Sequence, residues 1–211
     1  MIRLAIFDLD GTLVNAYPAV VASVNFTLAK LGFPKKTPHS IKRAVGWGDS
    51  QLMVQFVGEE LADRALKLYR PHHLKALKTG VSFLPGAEVL LTWAKAQGLL
   101  LAIASNRPKI FTQAILKGLK TYKIFDQVLC ADKAKKPKPS PDILLEICRD
   151  LKVKKQETLF VGDMTIDLNC GASAGIKTVG VATGSNTKKE LKEWKPYRII
   201  DKIIQLKKLV H

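Results

Sequence analysis

Apolar residues recur along this chain in two rhythms. Residues 2–7 form a short, nearly unbroken apolar run, as do 99–104 and 159–161, with weaker runs at 128–130 and 178–181. Each is of strand length. Between them, apolar positions recur at helical spacing over 87–97, 110–119, 142–151 and 188–194; Ile110, Phe111, Ala114, Ile115 and Leu119, for example, suit one helical face. Continuous apolar strands separated by helices predict an α/β fold, with a doubly wound parallel sheet covered on both faces.

Residues 15–81 break that rhythm. Helical patterns follow one another at 18–31, 41–45, 51–57 and 61–77, and Val20, Val21, Val24 and Leu28 point inward from the first of them. Phe83-Leu84-Pro85-Gly86 then marks the return to the alternating pattern. The expected organisation is a Rossmann-like core, residues 1–14 and 82–211, with a small α-helical cap domain, residues 15–81, inserted after the first strand.

Composition narrows the class without naming a reaction. The chain has 211 residues, 47% hydrophobic and 25% charged, which suits a soluble globular protein. No stretch reaches the roughly 18 apolar residues of a spanning helix, and the N-terminal run is cut by Asp8 and Asp10, unlike a signal peptide. A cytoplasmic protein with no membrane partner is expected, as monomer or homodimer. Cys130, Cys148 and Cys170 are odd in number and unpaired in spacing, so they read as small buried side chains. The formal net charge is +16, but the lysines are scattered and carry no nucleic-acid motif or aromatic stacking series. Nucleic acid is therefore not the expected partner.

The chemistry gathers where strands end. The first strand leads into Asp8-Leu9-Asp10-Gly11-Thr12, the second into Ser105-Asn106, and the third into Gly162-Asp163-Met164-Thr165-Ile166-Asp167. A fourth element, Lys138-Pro139-Ser140-Pro141-Asp142, precedes a helix. In open α/β sheets the carboxyl ends of the strands form the ligand edge, so these segments should meet. Two bare charges 4 Å apart repel by about 4 kcal/mol at an effective dielectric near 20, so Asp8, Asp10, Asp163 and Asp167 together call for a cation. Oxygen donors without His or Cys favour magnesium over zinc. Ser105, Asn106 and the amides after Asp8 can donate to phosphoryl oxygens, and Lys138 can offset charge on a transferring group.

The four segments, in this order, resemble the haloacid dehalogenase-like hydrolase superfamily. DxDGT is present at Asp8–Thr12, the strand-end serine at Ser105, KPxP at Lys138–Pro141 and GDxxxD at Gly162–Asp167. Lys136-Pro137-Lys138-Pro139 also fits KPxP; Lys138 is preferred because Asp142 stands where the family pattern continues. The resemblance implies a magnesium-dependent phosphatase acting on a small phosphorylated metabolite. Asp8 would be the nucleophile and Asp10 the acid–base. Magnesium would rest on Asp8, Asp10 and Asp163, with Asp167 supporting the metal or Lys138. Ser105, Thr12 and Asn106 would lie along the phosphoryl group. An acid at position 10 favours phosphoryl transfer over dehalogenation.

The insert resembles the helical cap of phosphoglycolate phosphatase-like members, so Gly46 and its neighbours would lean over the substrate and Arg43 or Lys42 could meet a substrate carboxylate. Asn15 stands where members often carry Asp. Phosphoglycolate, sugar phosphates and nucleotides all remain open as substrates. So do two other functions: a phosphomutase, and a non-catalytic nucleic-acid-binding protein on the same fold.

Overall fold

The computed structural model describes residues 1–210. Six strands form one parallel sheet: β1 (Leu4–Phe7), β4 (Leu100–Ser105), β5 (Gln127–Cys130), β6 (Thr158–Gly162), β7 (Lys177–Val181) and β8 (Arg198–Ile200). Their spatial order is β5-β4-β1-β6-β7-β8. Phe7 is in register with Ile103 on one side and Val161 on the other. The chain thus leaves β1 in both directions, which makes the carboxyl end of β1 a topological switch point.

Burial explains why the strands read as unbroken apolar runs. In β1, Leu4 and Ile6 face one apolar cluster while Ala5 and Phe7 face another. The first cluster takes Ile143, Leu144, Ile147 and Cys148 from α7 (Asp142–Asp150), and Cys170 and Ala174 from α8 (Thr165–Ala174). The second takes Leu90, Leu91 and Ala94 from α5 (Ala87–Ala96), and Phe111, Ile115 and Leu116 from α6 (Lys109–Gly118). A short α9 (Lys188–Glu193) precedes β8, an edge strand absent from the sequence expectation because three residues carry no readable period. All three cysteines are buried.

The insert is helical, as expected: α1 (Tyr17–Lys30), α2 (Pro38–Ala44), α3 (Asp49–Val57) and α4 (Glu59–Ala76). Val20, Val24 and Leu28, spaced by four, bury one face of α1, which packs mainly on α4. The buried stripe of α4 runs Ala62, Ala65, Leu66, Tyr69, His73. Where the chain passes from the sheet to the helices and back, β2 (Val14–Asn15) and β3 (Ser82–Phe83) pair antiparallel. No described helix is long and apolar enough to cross a membrane.

Candidate active site

The carboxyl ends of β1, β4 and β6 do converge. Asp8 follows Phe7 directly and its amide donates to the Val161 carbonyl at 2.8 Å. Ser105 closes β4, and Asp163 follows β6. The loop after β5 brings in Lys138, which is almost wholly buried. Its ammonium donates to Asp8 Oδ1 at 2.6 Å and Asp167 Oδ1 at 2.7 Å. Burial alone would lower this ammonium, but Asp167 and Asp8 outweigh it and hold the Lys138 pKa above its ordinary value. Lys138, rather than Lys136, is therefore the lysine at this centre.

Carboxylate oxygens of Asp8, Asp163 and Asp167 lie within 4.8 Å of one another. Burial pushes Asp8 up to about 7; Lys138 opposes this, while Asp167 and Asp10 reinforce it. Burial, then Asp8 and Asp167, also raise Asp163, although the Ser185 amide and the Thr12 hydroxyl both donate to it. Three buried carboxylates share one ammonium, which leaves two negative charges when all are ionised. That deficit, made of oxygen donors alone, fits a hard divalent cation.

Asp10 lies apart from this trio. Arg107 grips its carboxylate with two parallel hydrogen bonds, Nε to Oδ2 at 2.7 Å and Nη2 to Oδ1 at 2.9 Å. Burial works against the guanidinium, but Asp10 more than offsets it and the Arg107 pKa is raised. Arg107 was passed over in the sequence, although it directly follows Ser105-Asn106. The Ser105 hydroxyl oxygen accepts from the Arg107 amide at 3.2 Å.

These groups face a cavity of about 70 Å³ between sheet and insert. Asp8, Asp10, Ser105, Asn106, Arg107, Lys138 and Asp167 line it from the core; Tyr17, Gly46, Gly48, Asp49 and Tyr69 line it from the insert. Gly46 has φ 115°, and a Cβ there would lie 2.5 Å from the Met164 sulfur, so only glycine lets the insert come this close.

Three expected ligand groups are used differently. Thr12 is fully buried and its hydroxyl donates to Asp163 Oδ1 at 3.1 Å, so it orients that acid. Asn106 lines the cavity, but its Nδ2 donates to the carbonyls of Gly46 and Lys138, and its Oδ1 accepts from the Lys138 amide. With both amide hydrogens spent, it fastens the lysine loop and the insert. Arg43, expected near a substrate carboxylate, has its guanidinium on Glu190 and the Ser185 carbonyl and does not line the cavity. Glu190, in the first turn of α9, accepts Arg43 as a fork and turns it away from the cavity.

Tyr17 was not foreseen. Its hydroxyl oxygen is buried without a hydrogen-bond partner and borders the cavity. Burial, then Asp163, Asp10, Asp8 and Asp167, raise its pKa, so the proton stays on. Tyr17→Phe removes an unsatisfied buried hydroxyl and is expected to leave the melting temperature unchanged or raise it by about 2 °C, as an orphaned polar group costs on the order of 1 kcal/mol. A calorimetric scan showing a clear loss would mean that the hydroxyl has a partner.

Residues 5–181 match the family described as haloacid dehalogenase-like hydrolase. A phosphoglycolate phosphatase from Pseudomonas putida is 31% identical over 209 residues, covering 94% of this chain and 76% of the relative. One from Psychrobacter arcticus is 29% identical, covering 94% and 91%. A crystal structure from Haemophilus somnus 129pt, described as a "predicted phosphoglycolate phosphatase", superposes with a TM-score of 0.93 at 25% identity, covering 100% of this chain and 98% of that one.

Proposed function

The chain belongs to the haloacid dehalogenase-like hydrolase family, and from that premise we propose that it is a magnesium-dependent phosphatase for a small phosphate monoester, working through an aspartyl-phosphate on Asp8. The observation that carries this reading is the Asp8 carboxylate, held by Lys138 at the wall of a cavity that Asp10 also lines. Asp8 attacks phosphorus; the bond from phosphorus to the ester oxygen breaks, and that oxygen takes a proton from Asp10. Water then attacks phosphorus, gives its proton to Asp10, and breaks the bond to Asp8, releasing phosphate. Ser105 and Lys138 stabilise charge on the phosphoryl oxygens. Magnesium held by Asp8, Asp163 and the Asp10 carbonyl, with Asp167 behind, would supply the positive charge that lets a carboxylate meet a phosphate dianion. Residues 15–81 act as the cap that excludes competing water.

The small cavity favours a short ester over a nucleotide, as does likeness to proteins named phosphoglycolate phosphatase. A panel of 2-phosphoglycolate, glucose 6-phosphate and AMP, with magnesium, tests this by phosphate release. We expect kcat/KM to fall in that order, by about tenfold or more across the panel, because groups that the pocket cannot enclose lose transition-state contacts. No release from any ester would refute the phosphatase. Isomerisation dependent on a sugar bisphosphate, with little free phosphate, would make it a mutase.

A further inference from the structure

His73 is completely buried on cap helix α4, and no step above uses it. Its ring stacks on Tyr69 at 4.8 Å between centroids and meets the edge of Phe111 at 4.9 Å. Nε2 lies 2.6 Å from Nη1 of Arg107. A guanidinium only donates, so Nε2 accepts and the ring proton sits on Nδ1, which faces Ser23 Oγ at 3.2 Å. Ser23 Oγ in turn donates to the Ala19 carbonyl at 2.8 Å. Burial, with the Arg107 charge second, pushes the His73 pKa down to about 3, so it stays a neutral acceptor. The far side of Arg107 holds both oxygens of Asp10. An unbroken chain of hydrogen bonds therefore runs from α1 through α4 of the cap to Asp10 in the core.

We propose that His73 is a positioning residue: through Arg107 it fixes the Asp10 carboxylate, so that acid–base chemistry is in place only while the cap rests on the core. This inference rests on the phosphatase reading. Packing alone does not ask for histidine here, since a phenyl ring would fill the slot between Tyr69 and Phe111. Only the bond to Arg107 uses Nε2. Arginine suits the middle position because its fork can hold two Asp10 oxygens and still offer an N–H to the cap; lysine has no such plane. A carboxylate has about four acceptor sites, so two remain on Asp10 for water and leaving group.

The test compares a phosphate ester and an acyl phosphate of similar size in the full-length enzyme with magnesium. The alkoxide leaving 2-phosphoglycolate needs a proton, whereas the acetate leaving acetyl phosphate does not. For His73→Phe, kcat/KM on 2-phosphoglycolate should fall about 30-fold and on acetyl phosphate at most about threefold, since kcat/KM reports the first displacement, where a general acid contributes only if a proton is required; kcat, which includes the shared water step with Asp10 as base, should fall on both. His73→Gln, whose amide oxygen can accept from Arg107, should recover to within about fivefold of wild type. Arg107→Met, at a cavity-lining position, should show the same split in kcat/KM even if His73→Phe fails to fold. Equal losses of kcat/KM on both compounds, or no recovery in His73→Gln, would reduce the chain to a structural prop and overturn the proposal. A wild-type enzyme inert to both compounds would instead overturn the phosphatase reading, and this inference with it.

Discussion

Replacing Asp8 by asparagine is expected to lower kcat by at least about 10⁴-fold, because the first chemical step loses its nucleophile and nothing nearby can substitute. Lys138 has no free pair, Ser105 has no base beside it, and Asp163 is turned toward Thr12 and Ser185. The fold should not suffer. In the variant Lys138 keeps Asp167 at 2.7 Å, and the centre loses one of its crowded carboxylates. Without added metal, the melting temperature of Asp8→Asn should therefore equal or exceed that of wild type near pH 7.5. Acid quenching during turnover should leave a phosphoryl adduct on wild type and none on the variant. A variant that keeps more than about 1% of wild-type kcat would exclude covalent catalysis at residue 8.

Chelation should silence turnover by at least about 10³-fold, and added magnesium should restore it, because two anions must otherwise meet unshielded. The same carboxylates make a second, non-kinetic readout. Asp8 is raised from 3.8 to about 7, and Asp163 is raised as well. A carboxyl whose folded pKa lies above its unfolded value favours the fold most below the unfolded pKa. That contribution is lost as pH rises toward the folded one. Metal-free protein should thus lose stability between about pH 4 and pH 7, and magnesium should recover it where the carboxylates are ionised. At pH 8, magnesium at 100 times its Kd should add about 2.7 kcal/mol, or about 5–11 °C in Tm. At pH 5 only roughly 1% of a carboxyl with pKa near 7 is ionised, so the shift should nearly vanish. Equal shifts at both pH values, or full activity in chelator, would mean that the acid trio does not hold the ion.

The core and the acid centre were legible in the sequence for one reason. Parallel strands put their carboxyl ends on one edge, so Asp8, Ser105 and Asp163 had to meet once the strands were recognised. What followed from residue type alone fared differently. Thr12, Asn106 and Arg43 are ordinary anion binders by chemistry, yet each bonds within the protein. Their partners lie on the GDxxxD loop, the cap and α9, at sequence distances of 151, 60 and 147 residues, and no local pattern encodes such meetings. His73 was half readable. Its place on the stripe with Ala62, Ala65, Leu66 and Tyr69 marks it as buried, and a buried imidazole needs a partner. Which partner depends on how the cap docks. β2 and β3, two residues each, are too short for any period to show.

That small ribbon matters beyond its size. Val14 lies opposite Phe83 and Asn15 opposite Ser82, so the chain leaves the sheet and returns to it at neighbouring points. To the rest of the molecule, everything between is one loop tied off at its neck. The entropy of closing such a loop grows only with the logarithm of its length. Lengthening, shortening or replacing it therefore strains the sheet little. A lineage could re-tailor which molecule is admitted without disturbing the sheet, provided the replacement still offers Arg107 the acceptor that His73 supplies; that is modularity arising from where two pairs of residues cross.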